Sequence, residues 1–89
     1  MAHRREQYSE YFNITVQSGL SVQQRKHILA DLKKLPDTVE ASFRDAKNRD
    51  VDASADTNVI AVDSYDTLMT EAVKIPGVIK VERDFYRLG

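Results

Sequence analysis

Pro76-Gly77 divides the C-terminal part of this chain into two backbone regimes that no single element can bridge. Proline lacks an N–H and its ring clashes with the preceding helical turn, whereas glycine reaches positive φ without steric cost, so a helix ends here and the chain can reverse. Upstream, Tyr65, Leu68, Met69, Ala72, Val73 and Ile75 recur at helical steps behind the N-cap oxygens of Asp63, Ser64 and Asp66, which predicts a second helix over this stretch. Downstream, Ile79, Val81 and Phe85 alternate with Lys80, Glu82 and Asp84, which predicts a final strand with an apolar face and a face bearing two carboxylates.

The chain before it supplies the rest of a sheet. Residues 1–9 are polar, with His3, Arg4 and Arg5 adjacent and no periodic pattern, and read as a frayed arm. Phe12, Ile14 and Val16 then alternate with Tyr11, Asn13, Thr15 and Gln17 as a first strand that Ser18-Gly19 ends. Asn13-Ile14-Thr15 matches a glycosylation acceptor, but its mid-strand position gives it no functional weight. Ser21 and Gln24 have capping-box spacing, and Val22, Arg25, Ile28, Leu29, Leu32 and Leu35 form the stripe of a first helix closed by Leu35-Pro36-Asp37. His27 falls off that stripe and has no nucleophile or orienting acid in a catalytic pattern.

Val39, Ala41 and Phe43 alternate with Glu40, Ser42 and Arg44 as strand two, and the polar run Asp45 to Thr57 reads as a long mobile hairpin loop. Asp50, Asp52 and Ser54 imitate the first ligand positions of a calcium loop. Ala55 then stands where the sharp turn needs glycine, and Ala61 where a bidentate glutamate is needed, so the pattern favours a solvated acidic loop. Asn58 to Asp63 is apolar on both sides around Val59, Ile60, Ala61 and Val62, as a central strand is.

The resulting order is strand, helix, strand, strand, helix, strand. Two split βαβ units with right-handed crossovers give an α+β, ferredoxin-like βαββαβ sandwich, an antiparallel sheet with two helices on one face and the other face open. The expected core is Phe12, Ile14, Val16, Ile28, Leu32, Phe43, Leu68, Val73, Ile79 and Val81. Eighty-nine residues allow one domain, read as an arm at 1–9, a folded unit at 10–85 and an extended tail at 86–89. A chain of this size stays marginally stable and has no room for a deep enclosed active site.

Composition narrows the function. Thirteen lysines and arginines against 14 aspartates and glutamates leave a net charge of −1, which argues against a polyanion-binding surface and hence against nucleic acid as partner. The central strand Asn58 to Asp63 also lacks the aromatics on which an RNA-binding sheet stacks bases. The absence of cysteine removes disulfides, thiolate metal sites and thiol catalysis, and fits a cytoplasmic protein. No apolar run approaches the roughly 18 residues of a membrane span, and the N-terminus lacks a signal-peptide core, so the chain reads as soluble, unprocessed and without a membrane partner. No nucleophile elbow, metal-binding histidine pair or phosphate-cradling glycine loop occurs, so neither an enzyme nor a cofactor is expected.

The segment Ile75-Pro76-Gly77-Val78-Ile79-Lys80-Val81-Glu82-Arg83-Asp84 resembles the end of the inhibitor I9 family, the subtilisin propeptide-like domains, which read as an apolar residue, Pro-Gly-Val, two variable residues and Val-Glu-x-Asp. Every fixed position of that pattern is present. Tyr11-Phe12-Asn13-Ile14-Thr15-Val16 before a helix and the element order extend the likeness more loosely. The polar run Asp45 to Thr57 replaces the family's small, glycine-containing approach to strand three, and no protease domain follows, so the resemblance implies a free-standing inhibitor or folding chaperone. It further implies a subtilisin-like serine protease as partner, with the open sheet face docked on two protease helices whose N-termini are capped by Glu82 and Asp84. Unpaired N–H groups and partial positive charge make such termini good seats for carboxylates. The tail Phe85, Tyr86, Arg87, Leu88 and Gly89 would lie extended in the protease cleft as an added strand, with Gly89 at the specificity pocket. Without the resemblance, Glu82 and Asp84 read as solubilising charges on an edge strand. The alternative function is a small ACT-like regulatory or oligomerising module, and the sequence leaves the oligomeric state open.

Overall fold

A computed structural model describes residues 8–84, so the proposed arm up to Gln7 and the tail from Phe85 lie outside the described residues. The element order is β1 (Glu10–Val16), α1 (Val22–Lys34), β2 (Thr38–Arg44), β3 (Asp50–Val51), β4 (Val59–Ser64), a 3₁₀ helix (Ala72–Lys74) and β5 (Val78–Arg83). The architecture is α+β, with one antiparallel five-stranded sheet in the order β3-β2-β4-β1-β5 and one α-helix among the described residues.

The local signals at α1 act as their chemistry dictates. Ser21 Oγ accepts the Gln24 N–H at 3.1 Å while Gln24 Oε1 accepts the Ser21 N–H at 2.8 Å, the reciprocal pairing that satisfies two orphan donors of a first turn. Ile28 and Leu32 are buried from α1 against Phe12, Ile14 and Val16 of β1, Ala41 and Phe43 of β2, and Ile60 and Val62 of β4, so alternate residues of every long inner strand face one core.

The expected second helix is replaced by turns and one 3₁₀ segment. Ser64 Oγ accepts the Asp66 N–H, and Asp66 Oδ1 accepts those of Leu68 and Met69 at 3.1 and 3.2 Å, the capping bonds of a first turn from which no α-helix propagates. Met69 takes a positive φ of 48°, and the N–H groups of Ala72, Lys74 and Ile75 bond three residues back. Burial follows the tighter period: Met69, Ala72 and Ile75, three apart, enter the core, while Leu68 and Val73, expected there, are 70% and 56% exposed.

Ile79 is a second correction to the expected core. Thr15 aligns with Lys80 but Val16 with Val78, so Ile79 is the extra residue of a bulge and stands 64% exposed. Val81, opposite Ile14, packs on the core as expected. A similar register shift between Thr38 and Glu40 turns Val39 outward.

Residues 45–57, expected as a long mobile hairpin loop, do turn back on β2 as a hairpin, but they carry a short strand of their own. Asp45 Oδ1 accepts the N–H groups of Lys47 and Arg49 in a tight turn, after which Val51 pairs with Phe43 as β3. The following turn buries Ala53 and is gripped by Arg25 of α1. The Arg25 guanidinium donates to the carbonyls of Ala53 at 2.7 Å, Ala55 at 3.0 Å and Thr57, and to Asn58 Oδ1 at 3.0 Å, while stacking 4.6 Å above the Phe43 ring.

Candidate functional site

Among the described residues, the side chains that alternate with the core residues form a helix-free sheet face. The register sets it out in rows: Glu40, Asp63 and Tyr11 in one, Ser42, Ala61, Asn13 and Glu82 in the next, and Val59, Thr15 and Lys80 in a third. Ala61 is 4% exposed although it lies outside the core cluster, because Asn13 and Ser42 flank it on this second face. Asp84 extends the first row, since its N–H donates to the Tyr11 carbonyl at 2.8 Å. It also borders a shallow depression of about 380 Å³ with Asn13, Arg44, Asp56, Thr57 and Val59. Glu82 and Asp84 therefore stand one pleat apart on the same helix-free face, at the edge where β5 meets β1. The tail residues Phe85, Tyr86, Arg87, Leu88 and Gly89 lie outside the described residues.

Carboxylates gather at one end of the face. Glu40, Asp63, Glu82 and Asp84 occupy the first two rows, whereas Lys80 and Arg44 lie beyond them. Arg44 Nε is 3.0 Å from Asp50 Oδ1, which also accepts the Ser42 hydroxyl at 2.9 Å, so that arginine and that aspartate hold the β2–β3 hairpin together. Glu82 Oε2 lies 3.6 Å from Lys80 Nζ, with both side chains 58% exposed. An exposed pair of this kind is worth about 0–1 kcal/mol, so Glu82 can exchange Lys80 for a better donor at small cost.

The calcium-like trio is turned to local uses: Asp50 holds Arg44 and Ser42, and Asp52 Oδ1 accepts the Ser54 N–H at 2.9 Å. The hydroxyl and N–H of Ser54 hold the Asp52 carboxyl below the usual carboxylate range, and the Arg49 N–H, with the Arg49 guanidinium and the Lys47 N–H, does the same for Asp45. Among the described residues no group of three His, Cys, Asp or Glu side chains is placed to hold a metal ion. No helix among them is long and apolar enough to cross a membrane. His27 is 79% exposed at its side chain, 3.6 Å from Asp31, on the rim of a groove of about 550 Å³ between α1 and the Pro76-Gly77 turn.

Arg25 is the residue whose importance the sequence concealed. Its place on the α1 stripe was legible, but its acceptors lie 28 to 33 residues away in a segment with no regular pattern. Comparison of the chain with protein-family models, curated proteins and solved structures finds no match.

Proposed function

We propose that this protein binds and inhibits, or assists the folding of, a subtilisin-like serine protease, using the helix-free sheet face and the residues that follow β5. The observation that carries the reading is that Glu82 and Asp84 stand one pleat apart on that face, at the far end of the strand that the Pro-Gly-Val turn begins. Two carboxylates one pleat apart suit two helix N-termini, each of which offers unpaired N–H groups and partial positive charge. The resemblance to the I9 family assigns the same two positions that role.

A ferredoxin-like reading of the fold draws support from the strand order. With β3 set aside, β2-β4-β1-β5 is the order of two interleaved crossover units, one through α1 and one through residues 65–77. Met69, Ala72 and Ile75 share their core with Ile28 and Leu32, so both crossovers cover one face and leave the opposite one for a partner.

Inhibition constants against a panel of subtilisins test the proposal. Replacing Glu82 and Asp84 by alanine removes charge-assisted caps worth about 0.5–2 kcal/mol each, so inhibition should weaken about tenfold or more with the melting temperature nearly unchanged. Deleting Tyr86 to Gly89 should weaken it further, because the cleft then loses its added strand. Full inhibition by both variants, or none by the parent protein, would reject the protease reading.

A further inference from the structure

The two margins of the sheet differ. One ends in β3, a strand of two residues, while the other ends in β5, a strand of six whose one strand partner among the described residues is β1. In an antiparallel ladder, successive residues direct their backbone groups alternately toward and away from the neighbouring strand. The Asp84 N–H bonds to the Tyr11 carbonyl, which sets the phase: Lys80 and Glu82 direct their N–H and C=O toward β1, and Val81 between them directs both away from it.

We propose that the β5 edge pairs with the same edge of a second copy of this chain, antiparallel, about a two-fold axis through Val81. The charges on the strand choose this arrangement. With Val81 opposite Val81, Lys80 of each copy stands across from Glu82 of the other, giving two cross-strand ion pairs on the helix-free face. Sliding the strands by two residues, the smallest shift that keeps outward-directed backbone groups opposed, either sets Lys80 against Lys80 with no ion pair, or sets Glu82 against Glu82 between two Lys80–Asp84 pairs, so each alternative carries a repulsion that the Val81 register lacks. Like charges directly opposite one another are destabilising, so a single register is favoured.

Apolar side chains border the same edge. Ile79 on the bulge is 64% exposed, and Val73, on the 3₁₀ helix that packs against β5, is 56% exposed. A two-fold contact uses one surface twice and closes at the dimer, with each remaining margin formed by the two-residue β3. The same-strand contact of Lys80 with Glu82 at 3.6 Å gives way to two contacts between copies.

Sedimentation equilibrium on the full chain across a concentration series tests this. The parent should show a monomer–dimer equilibrium. Lys80→Glu and Glu82→Lys each turn both ion pairs into repulsions and should weaken association about tenfold or more, with circular dichroism unchanged because both positions are exposed. An equimolar mixture of the two variants should form a heterodimer of near-parental strength, since each glutamate at 80 then faces a lysine at 82, and each lysine at 80 a glutamate at 82. A parent that stays monomeric to about 1 mM, variants that associate like the parent, or a mixture no more associated than its components would each overturn the proposal.

Discussion

Replacing Arg25 by methionine should be the most damaging change available to a charged residue of α1. Methionine keeps an unbranched apolar stem of comparable reach, so the change isolates the guanidinium from the packing below it. The side chain is 7% exposed, and the Ala53 carbonyl it serves belongs to a residue 4% exposed, too enclosed for water to replace the lost donor. One buried carbonyl left unpaired costs about 1–3 kcal/mol. Loss of the stack on Phe43 adds about 0.5–2 kcal/mol. The outer carbonyls of Ala55 and Thr57 and the Asn58 amide can recover water, so the whole change should cost about 2–4 kcal/mol. In a domain of this size that lowers the melting temperature by about 10–25 °C, a large share of a total stability of about 5–15 kcal/mol. Thermal melts followed by circular dichroism supply the magnitude, and amide exchange should show residues 52–58 opening first. Lysine, whose compact head cannot fork to several acceptors at once, should fall between parent and Arg25→Met. A melting temperature within about 2 °C of the parent for Arg25→Met would show that the clamp contributes nothing.

Two further predictions concern the turns. Gly77 holds φ at +98°, and a Cβ there would meet Ile28 Cδ1 at 2.6 Å, so Gly77→Ala should cost about 1–3 kcal/mol and lower the melting temperature by several degrees. A parental melt would show that the turn relaxes to negative φ. The depressed carboxyls of Asp45 and Asp52 contribute order to the hairpin that is fully present above the ordinary aspartate value of about 3.9 and lost as pH falls through their lower folded values. Side-chain NMR titration should place both midpoints below that of an unfolded aspartate, and ordinary midpoints would remove this account of the turns.

What the sequence made legible follows from how local each signal is. The Ser21–Gln24 capping box, the alternation of β1 and β2, and the Pro76-Gly77 reversal are decided within a few residues, and each element formed where its pattern placed it. Tyr65 to Ile75 misled because two periods share its apolar residues. A helical stripe takes in Leu68 and Val73, whereas a 3₁₀ path selects Met69, Ala72 and Ile75, and the chain leaves the helical path at the positive φ of Met69, directly after the turn that Asp66 caps. In residues 45–57 the hairpin was legible, but the short strand β3 and the turn after it were not. Their order depends on β2 and on the distant Arg25, which no local pattern encodes. Strict alternation put Glu82 and Asp84 on one face, where the register has them, but assigned Ile79 to the core, since the bulge reverses the phase before it: Val78, opposite Val16, packs on the core, Ile79 is left over and exposed, and the residues from Lys80 onward keep their alternation.

Lys80 separates the two functional proposals, because it matters to one and not to the other. Capping a partner's helices calls on the carboxylates of Glu82 and Asp84 and releases Lys80, whose exposed contact with Glu82 is worth little. Self-pairing of β5 needs Lys80 as the counter-charge for the other copy. Lys80→Glu should therefore weaken dimer formation about tenfold or more while leaving protease inhibition intact or slightly stronger, since the variant frees Glu82 from a competing partner and adds a further anion beside it. Running the inhibition series and the sedimentation series on this one variant tells the failures apart. If inhibition falls in step with dimerisation, the dimer is the form that binds the protease, and Glu82 acts across the subunit contact and not as a helix cap.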